Sequence, residues 1–286
     1  MLKFLYLTNN LTVNNSFYSI TSIIACISNN SNELWLFNYD EGLQHQISIS
    51  KLKLNQITKI FLTEIKEKNL ISLLGFLATS ALYKRKSKIQ IYAPSQIKQY
   101  LRLFTYICKT SLLNDIEFVN IKNGLIYNNN HHQIYSLKLT DNSIAYSIIE
   151  IEKPGKFNIN KAKKLGIMPG PIYGKLKMGI SIVSKDGKLI KGKNLCDYIT
   201  EGKKITILPS TTYSRAIVEF SWKSDVIVCQ NFMNNKDIQY TNEYKILTSI
   251  MIAKILIESQ SLYVILNNPN FYILTDIIMK YSNSNK

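Results

Sequence analysis

A chain of 286 residues that is 46% hydrophobic can bury a full core, as one large α/β domain or two small ones. No apolar run reaches the roughly 18 residues of a membrane span, so the chain is expected to be soluble, with no membrane partner. The formal net charge of +16, from 35 basic and 19 acidic residues, excludes a strongly acidic protein and points to a polyanion as partner.

The N-terminal MLKFLYLTNN goes straight into a strand-like segment, with no n-region, h-region and cleavage site, so no targeting peptide is expected. Residues 1–9 and 17–28 read as two strands joined by the polar turn LTVNN. In ELWLFNYDEGLQHQI a strand at 33–37 leads into a loop and a short helix carrying His45, expected as a surface or packing residue. The stretch KIFLTEIKEKNLISLLGFLATSA, residues 59–81, organises the rest. Its apolar, β-branched run at 60–63 reads as a buried strand and a helix-period segment fills 69–83, leaving EIKEKN (64–69) between them. A strand end followed by a loop and a helix is where α/β folds place their chemistry.

Next come a strand at 88–94, a second amphipathic helix at 95–113 and two or three strands up to residue 151. Their turn, NNNHHQ (128–133), carries His131 and His132. Neighbours on a strand point to opposite faces and cannot easily serve one ion, so an exposed hairpin tip is expected. Beyond residue 210 the pattern gives a helix at 211–220, a strand at 225–229, a long helix at 241–259, a strand at 262–266 and a last helix. Two β-rich halves, each closed by helices, fit an αββα sandwich in which no repeat or linker divides residues 1–286.

Composition adds three constraints. The four cysteines (Cys26, Cys108, Cys196, Cys229) lie far apart in apolar runs and without zinc-finger spacing, as expected of reduced, structural thiols. The only arginines are Arg85, Arg102 and Arg215, while Asn, Ile, Lys and Tyr abound; that bias points to an AT-rich genome, an organelle-encoded plastid protein first and the cytoplasm of an AT-rich bacterium second. Residues 152–193 hold eleven lysines against Glu152 and Asp186, a net +9 in about one-seventh of the length. Lysine at this density neutralises phosphates and releases counterions, giving salt-dependent, shape-led RNA binding. Its glycines and prolines rule out a long helix and let backbone come close to a sugar-phosphate chain.

Several strings together resemble ribonuclease Z, the tRNA 3′-processing endonuclease of the metallo-β-lactamase fold. Thr63, with TKIFLT and GFLAT around it, matches the frame of the family's metal loop T-H-x-H-x-D-H, but Glu64, Lys66, Lys68 and Asn69 stand where the family carries ligands. Glu41, Gly42, Gln44 and Gln46 match L-x-D-C-G-E-G-T-Q-x-Q, while Asn38, Tyr39 and Leu43 depart. The family's L-K-H histidine falls on Leu139, its bridging aspartate on Ser210, its H-E-A-T string on Cys229 and Gln230, its G-H-S-T string near Asn242 and Glu243, and its late ligand histidine near Asn268.

The segment 152–193 is similar to the flexible arm with which the family grips the tRNA elbow, through E-x-P-G-x-F, K-A-x-x-L-G-I-x-x-G-P-x-Y-G-x-L-K-x-G and D-G-x-x-I. The resemblance therefore implies an α/β metallo-β-lactamase-like αββα sandwich with a protruding flexible arm, and tRNA or precursor tRNA as partner. The contacts it implies are Lys153, Lys156, Lys163, Lys164, Gly166, Gly170, Pro171, Tyr173, Gly174, Lys175, Lys177 and Gly179.

Active family members hold two zinc ions with histidines and aspartates. This chain has three histidines, none at a ligand position, so no metal, cofactor or catalytic residue is expected. Lys66 and Lys68 are expected to pair with Glu64 and Glu67, in a pocket that folds without metal. The family's dimers imply a homodimer, or a heterodimer with an active subunit. Two competing readings are an active zinc endonuclease removing tRNA 3′ trailers, built on His45, Glu41 and Glu64, and a basic structural protein without RNA function.

Overall fold

The computed structural model describes residues 3–7, 23–27, 33–39, 43–44, 47, 52–82, 88–109, 116–152, 155–183, 187–196, 201–229, 232–233 and 246–266. The chain divides into two compact units: Met1–Asn128, Gln133–Ile148 and Lys204–Lys286 form the first, Asn129–His132 and Ile149–Lys203 the second.

The first sheet of the first unit runs in sequence order: β1 (Lys3–Leu7), β2 (Ile23–Ile27), β3 (Leu34–Phe37), β4 (Ile57–Phe61), β5 (Ile89–Tyr92) and β6 (Ile116–Val119). The pairs up to β3 are antiparallel and those from β3 to β6 parallel. Helices α1 (Glu67–Leu82) and α2 (Gln96–Ile107) make the crossovers. The chain continues through β7 (Gly124–Asn128), β8 (His132–Thr140) and β9 (Ser143–Glu150) into α3 (Ile159–Lys164), α4 (Pro171–Lys177), β10 (Ile182–Val183) and β11 (Leu189–Ile190) of the second unit. It returns as β12 (Lys204–Leu208), α5 (Arg215–Phe220), β13 (Val226–Cys229), β14 (Phe232–Met233), β15 (Leu247–Thr248), α6 (Ser249–Ser259) and β16 (Tyr263–Leu266). The second sheet has the order β16-β13-β12-β9-β8-β7, with β12, β13 and β16 parallel.

Period-2 alternation sends neighbouring side chains into different layers, because both faces of each central strand are covered. Leu34 and Leu36 of β3, Ile60 of β4 and Ile91 of β5 pack with Leu73, Phe76 and Leu101 of α1 and α2. Trp35, Phe37, Phe61 and Tyr92 from the same strands meet Ile144, Tyr146, Ile148, Ile207 and Val228 of the second sheet. On that sheet's other face Ala145, Leu208 and Ile227 pack against Ile217, Ile252 and Ile255 of α5 and α6. Three buried layers between four layers of elements make the first unit an αββα sandwich, as the patterning predicts.

Several boundaries differ from expectation. Helix α1 starts at Glu67, two residues before 69, since a carboxylate in the first turn complements the helix dipole. Helix α2 stops at Ile107 rather than running to 113, with Lys109 in the left-handed region at φ 50°. Four strands, β6 to β9, fill the stretch up to 151 where two or three are expected. Helix α5 begins only at Arg215, because Ser214 caps it by accepting from the Ile217 N–H, and α6 begins at Ser249 behind the matching cap of Thr248. The hairpin forms as the local pattern predicts, with Asn128 and Asn130 exposed at its tip, but His132 is buried and the Ile151 N–H donates to the His131 carbonyl. The last helix, Glu41 and His45 fall outside the described residues.

A polar knot fixes the end of β4. Asn38, buried and left-handed at φ 57°, donates its backbone N–H to the Phe61 carbonyl at 2.7 Å. Its side-chain oxygen accepts from the Thr63 N–H at 2.8 Å, and its amide nitrogen donates to the Thr63 hydroxyl at 3.0 Å. Asparagine tolerates this backbone region, whereas alanine meets a steric cost there and leaves the Thr63 groups without these partners. Asn38→Ala is expected to lower stability by about 2–4 kcal/mol, read by chemical denaturation; Thr63→Ser, which keeps the hydroxyl, is expected to cost less than about half of that.

Candidate functional site

The residues leaving β4 cross from one sheet to the other. The Leu62 N–H donates to the Tyr92 carbonyl in the first sheet, whereas the Thr63 carbonyl accepts from the Ile144 N–H, Glu64 bridges Ser143 and the Ile65 N–H reaches the Asn142 carbonyl. The loop 62–66 is thus tied to both sheets before α1 begins. The loop after β12 comes to the same place and presents Ser210.

There Lys66 Nζ lies 2.8 Å from Glu64 Oε1 and donates to Ser210 Oγ at 2.9 Å, while Ser210 Oγ donates to the same carboxylate oxygen at 3.2 Å. The Glu64 side chain is 10% exposed and that of Lys66 39%. These groups line a cavity of about 550 Å³ together with Leu139, Thr140, Asn142, Ser143, Thr211 and Thr212. The pairing expected for Lys66 and Glu64 is present; the side chain of Lys68, in the first turn of α1, lies outside the described set.

Four of the positions that the resemblance singles out, Glu64, Lys66, Leu139 and Ser210, therefore share one cavity wall. Asn69 is buried on α1. Cys229 is enclosed in the layer between the second sheet and α5 and α6, where burial pushes its thiol up to about 12 and keeps it protonated. Asn242, Glu243 and Asn268 fall outside the described residues. The hydroxyl groups of Thr140, Ser143, Thr211 and Thr212 were not anticipated; the strings LTDNS and PSTTYS at strand ends carry the signal. Among the described residues no three of His, Cys, Asp and Glu gather to hold a metal ion.

Lys66→Met removes the cation from a mostly buried carboxylate and is expected to lower stability by about 1–2 kcal/mol, a value discounted for the exposure of the lysine. The double substitution with Glu64→Gln removes the unpaired charge and is expected to recover most of that loss, which a double-mutant cycle in urea measures.

The second unit holds a core of its own: Ala162, Ile167, Leu176, Ile190 and Leu195 are buried, with Phe157 and Tyr173 packed on them. Asn158 caps α3 through the Lys161 N–H. Both helices end in the same stop signal, L-G-I and M-G-I. Gly166 and Gly179 turn left-handed, and the N–H groups of Ile167 and Ile180 reach back to the Ala162 and Lys175 carbonyls. Tyr173 packs against Phe157 with its ring tilted by 44° at 4.9 Å, and donates its hydroxyl to the Ile167 carbonyl at 2.8 Å. Pro171 opens α4 directly after Gly170, and Gly174 lies within it. Lys156, Lys163, Lys164, Lys175 and Lys177 are exposed, whereas Lys153 lies outside the described residues. The motif glycines and the tyrosine thus build the unit, and the lysines clothe it.

A Cβ at Gly192 would stand 2.2 Å from the Leu176 carbonyl oxygen and 2.8 Å from that of Ile180, both backbone atoms. Gly192→Ala is therefore expected to open this unit alone. Limited proteolysis should then cut within 155–196 while the main thermal transition stays within about 2 °C of the parent.

No family model matches the chain. Ribonuclease Z of Crocosphaera subtropica is 34% identical over 230 residues, 80% of this chain and 74% of that protein. Ribonuclease Z of Prochlorococcus marinus strain AS9601 is 34% identical over 271 residues, 92% and 84% of the two chains. Among solved structures, the short form of human tRNase Z superposes with a TM-score of 0.61 at 18% identity, covering 93% of this chain and 90% of that one. YhfI from Bacillus subtilis superposes with a TM-score of 0.59 at 11% identity, covering 99% and 92%. The architecture is the metallo-β-lactamase fold, in agreement with the sandwich and its strand-end cavity. Within that fold, the chain belongs to the ribonuclease Z family.

Proposed function

We propose that this chain holds tRNA or precursor tRNA through the lysines of 152–193, and that its strand-end cavity carries no dinuclear zinc site and cleaves no RNA by itself. In this role it is one arm-bearing subunit of a dimer, with itself or with an active member of the family. The observation that carries the reading is the ammonium of Lys66, 2.8 Å from Glu64 and 2.9 Å from Ser210, at a position where the family resemblance places a metal ligand.

Zinc is held by thiolate, neutral imidazole and carboxylate lone pairs in near-tetrahedral geometry. Among the described residues the cavity offers one carboxylate already paired with a cation, an amide and several hydroxyls, a donor set that does not fit zinc. The local charge supports the same view. A dication entering here meets the fixed positive charge of Lys66, with one Glu64 carboxylate to balance both.

For the RNA-holding role the support is the net +9 of 152–193 and the exposure of its described lysines, which together favour binding by counterion release. The cyanobacterial relatives are compatible with an organelle-encoded plastid protein and equally with one of the bacterial cytoplasm. Elemental analysis of the purified chain, with cleavage and gel-shift assays on a 3′-extended precursor tRNA, tests the proposal. The expected outcome is near-zero zinc, no trailer removal and binding that weakens steeply with salt; about two zinc ions per chain with cleavage overturns it.

A further inference from the structure

The geometry points to one particular receptor for the RNA backbone: a cavity in the second unit, ringed by Lys161, Lys164, Lys188 and Lys191, that receives neighbouring phosphates of one strand. This inference rests on the RNA-holding reading above and locates its contact. Three residues of the strings that carry the family resemblance are spent on folding, since Tyr173 is anchored in the core of the unit and Gly166 and Gly179 end its helices. The phosphate-binding surface must be sought among the lysines that those strings leave exposed.

Two separate pieces of backbone bring four of them to one concavity of about 790 Å³. Lys161 and Lys164 stand three residues apart on α3 and so share a helix face. Lys188 and Lys191 flank the two-residue strand β11 on either side. Asn194, in the turn that follows, adds an uncharged polar group, and among the described residues no carboxylate lines the cavity. Its rim is apolar, with Leu165 51% exposed and Leu189 61% exposed. Ammonium groups act as point charges toward phosphate, and an apolar rim suits the sugars and base edges between successive phosphates. A free polyphosphate or an acidic peptide would use the lysines but has no sugar or base edge for the leucines.

The test is a titration of the full chain with a precursor tRNA transcript across a salt series, comparing the parent with Lys161→Ala/Lys164→Ala/Lys188→Ala/Lys191→Ala. A charge-matched control removes four exposed lysines of the first unit, Lys53, Lys98, Lys122 and Lys138. All four cavity lysines are exposed, so the melting temperature is expected to stay unchanged, which excludes misfolding as the cause of any loss. The expected result is a loss of affinity on the order of tenfold or more for the cavity variant, a shallower dependence on log salt by about 3, and less than about threefold loss for the control. Asn194→Ala, which changes no charge, is expected to weaken binding about threefold.

Equal losses in the cavity variant and the control overturn the inference while leaving the RNA-holding reading intact, because they mean a diffuse field. No binding by the parent overturns both. Tripolyphosphate or polyglutamate displacing the transcript at concentrations that match its own affinity overturns the choice of RNA as occupant.

Discussion

The hydroxyl of Tyr146 is the polar pin on which the sandwich closes. It is fully buried in an aromatic layer, with Phe61 edge-on at 5.4 Å and Phe37 at 6.2 Å, and its oxygen lies 3.1 Å from both the Leu62 and the Tyr92 carbonyls. Burial pushes this phenol well above its ordinary value, so it remains a donor throughout the range in which proteins fold. Carbonyls at the ends of two parallel strands need partners away from water, and a side chain from the opposite sheet provides the hydrogen. Because β4 is held there, the residues after it cannot drift, and Glu64 and Lys66 reach Ser210 from a fixed base.

The cavity built on that base is balanced rather than charged. Among the described residues one carboxylate and one ammonium, both from the loop after β4, share the Ser210 hydroxyl, whose two hydrogen bonds tie the end of β4 to the end of β12. A similar pairing stands deeper in the sandwich. Lys59 is buried, lies over the rings of Trp35 and Tyr127 and contacts Glu33 at 3.4 Å. In both places a lysine from the same short stretch, 59–66, replaces what would otherwise be an apolar or anionic environment, and its stem packs while its head finds an oxygen.

Much of the sandwich was legible in the sequence because its strands are apolar on both faces. Leu34, Trp35, Leu36 and Phe37 announce burial without needing to reveal which layer each enters. The helix starts were less legible, since Ser214 and Thr248 sit within hydroxyl-rich strings and the register of a cap depends on where the preceding strand ends. His132 was misjudged for a different reason: its burial comes with an arrangement in which residue 151 lies along residue 131, a tertiary contact that no local alternation encodes. In the candidate site, Glu64, Lys66, Leu139 and Ser210 were found as separate positions by resemblance to a family, and only folding shows them on one wall. The cavity hydroxyls escaped because serine and threonine at strand ends are ordinary loop residues until a cavity collects them.

The segment between β9 and β12 folds about five buried side chains that belong to no layer of the sandwich. Substitutions in separate cores combine almost additively. A lineage can therefore rebuild the strand-end cavity, residue by residue, while the folding free energy of the lysine-bearing unit stays constant. The two cores are heritable apart: a change of side chains in one imposes no matching change on the other.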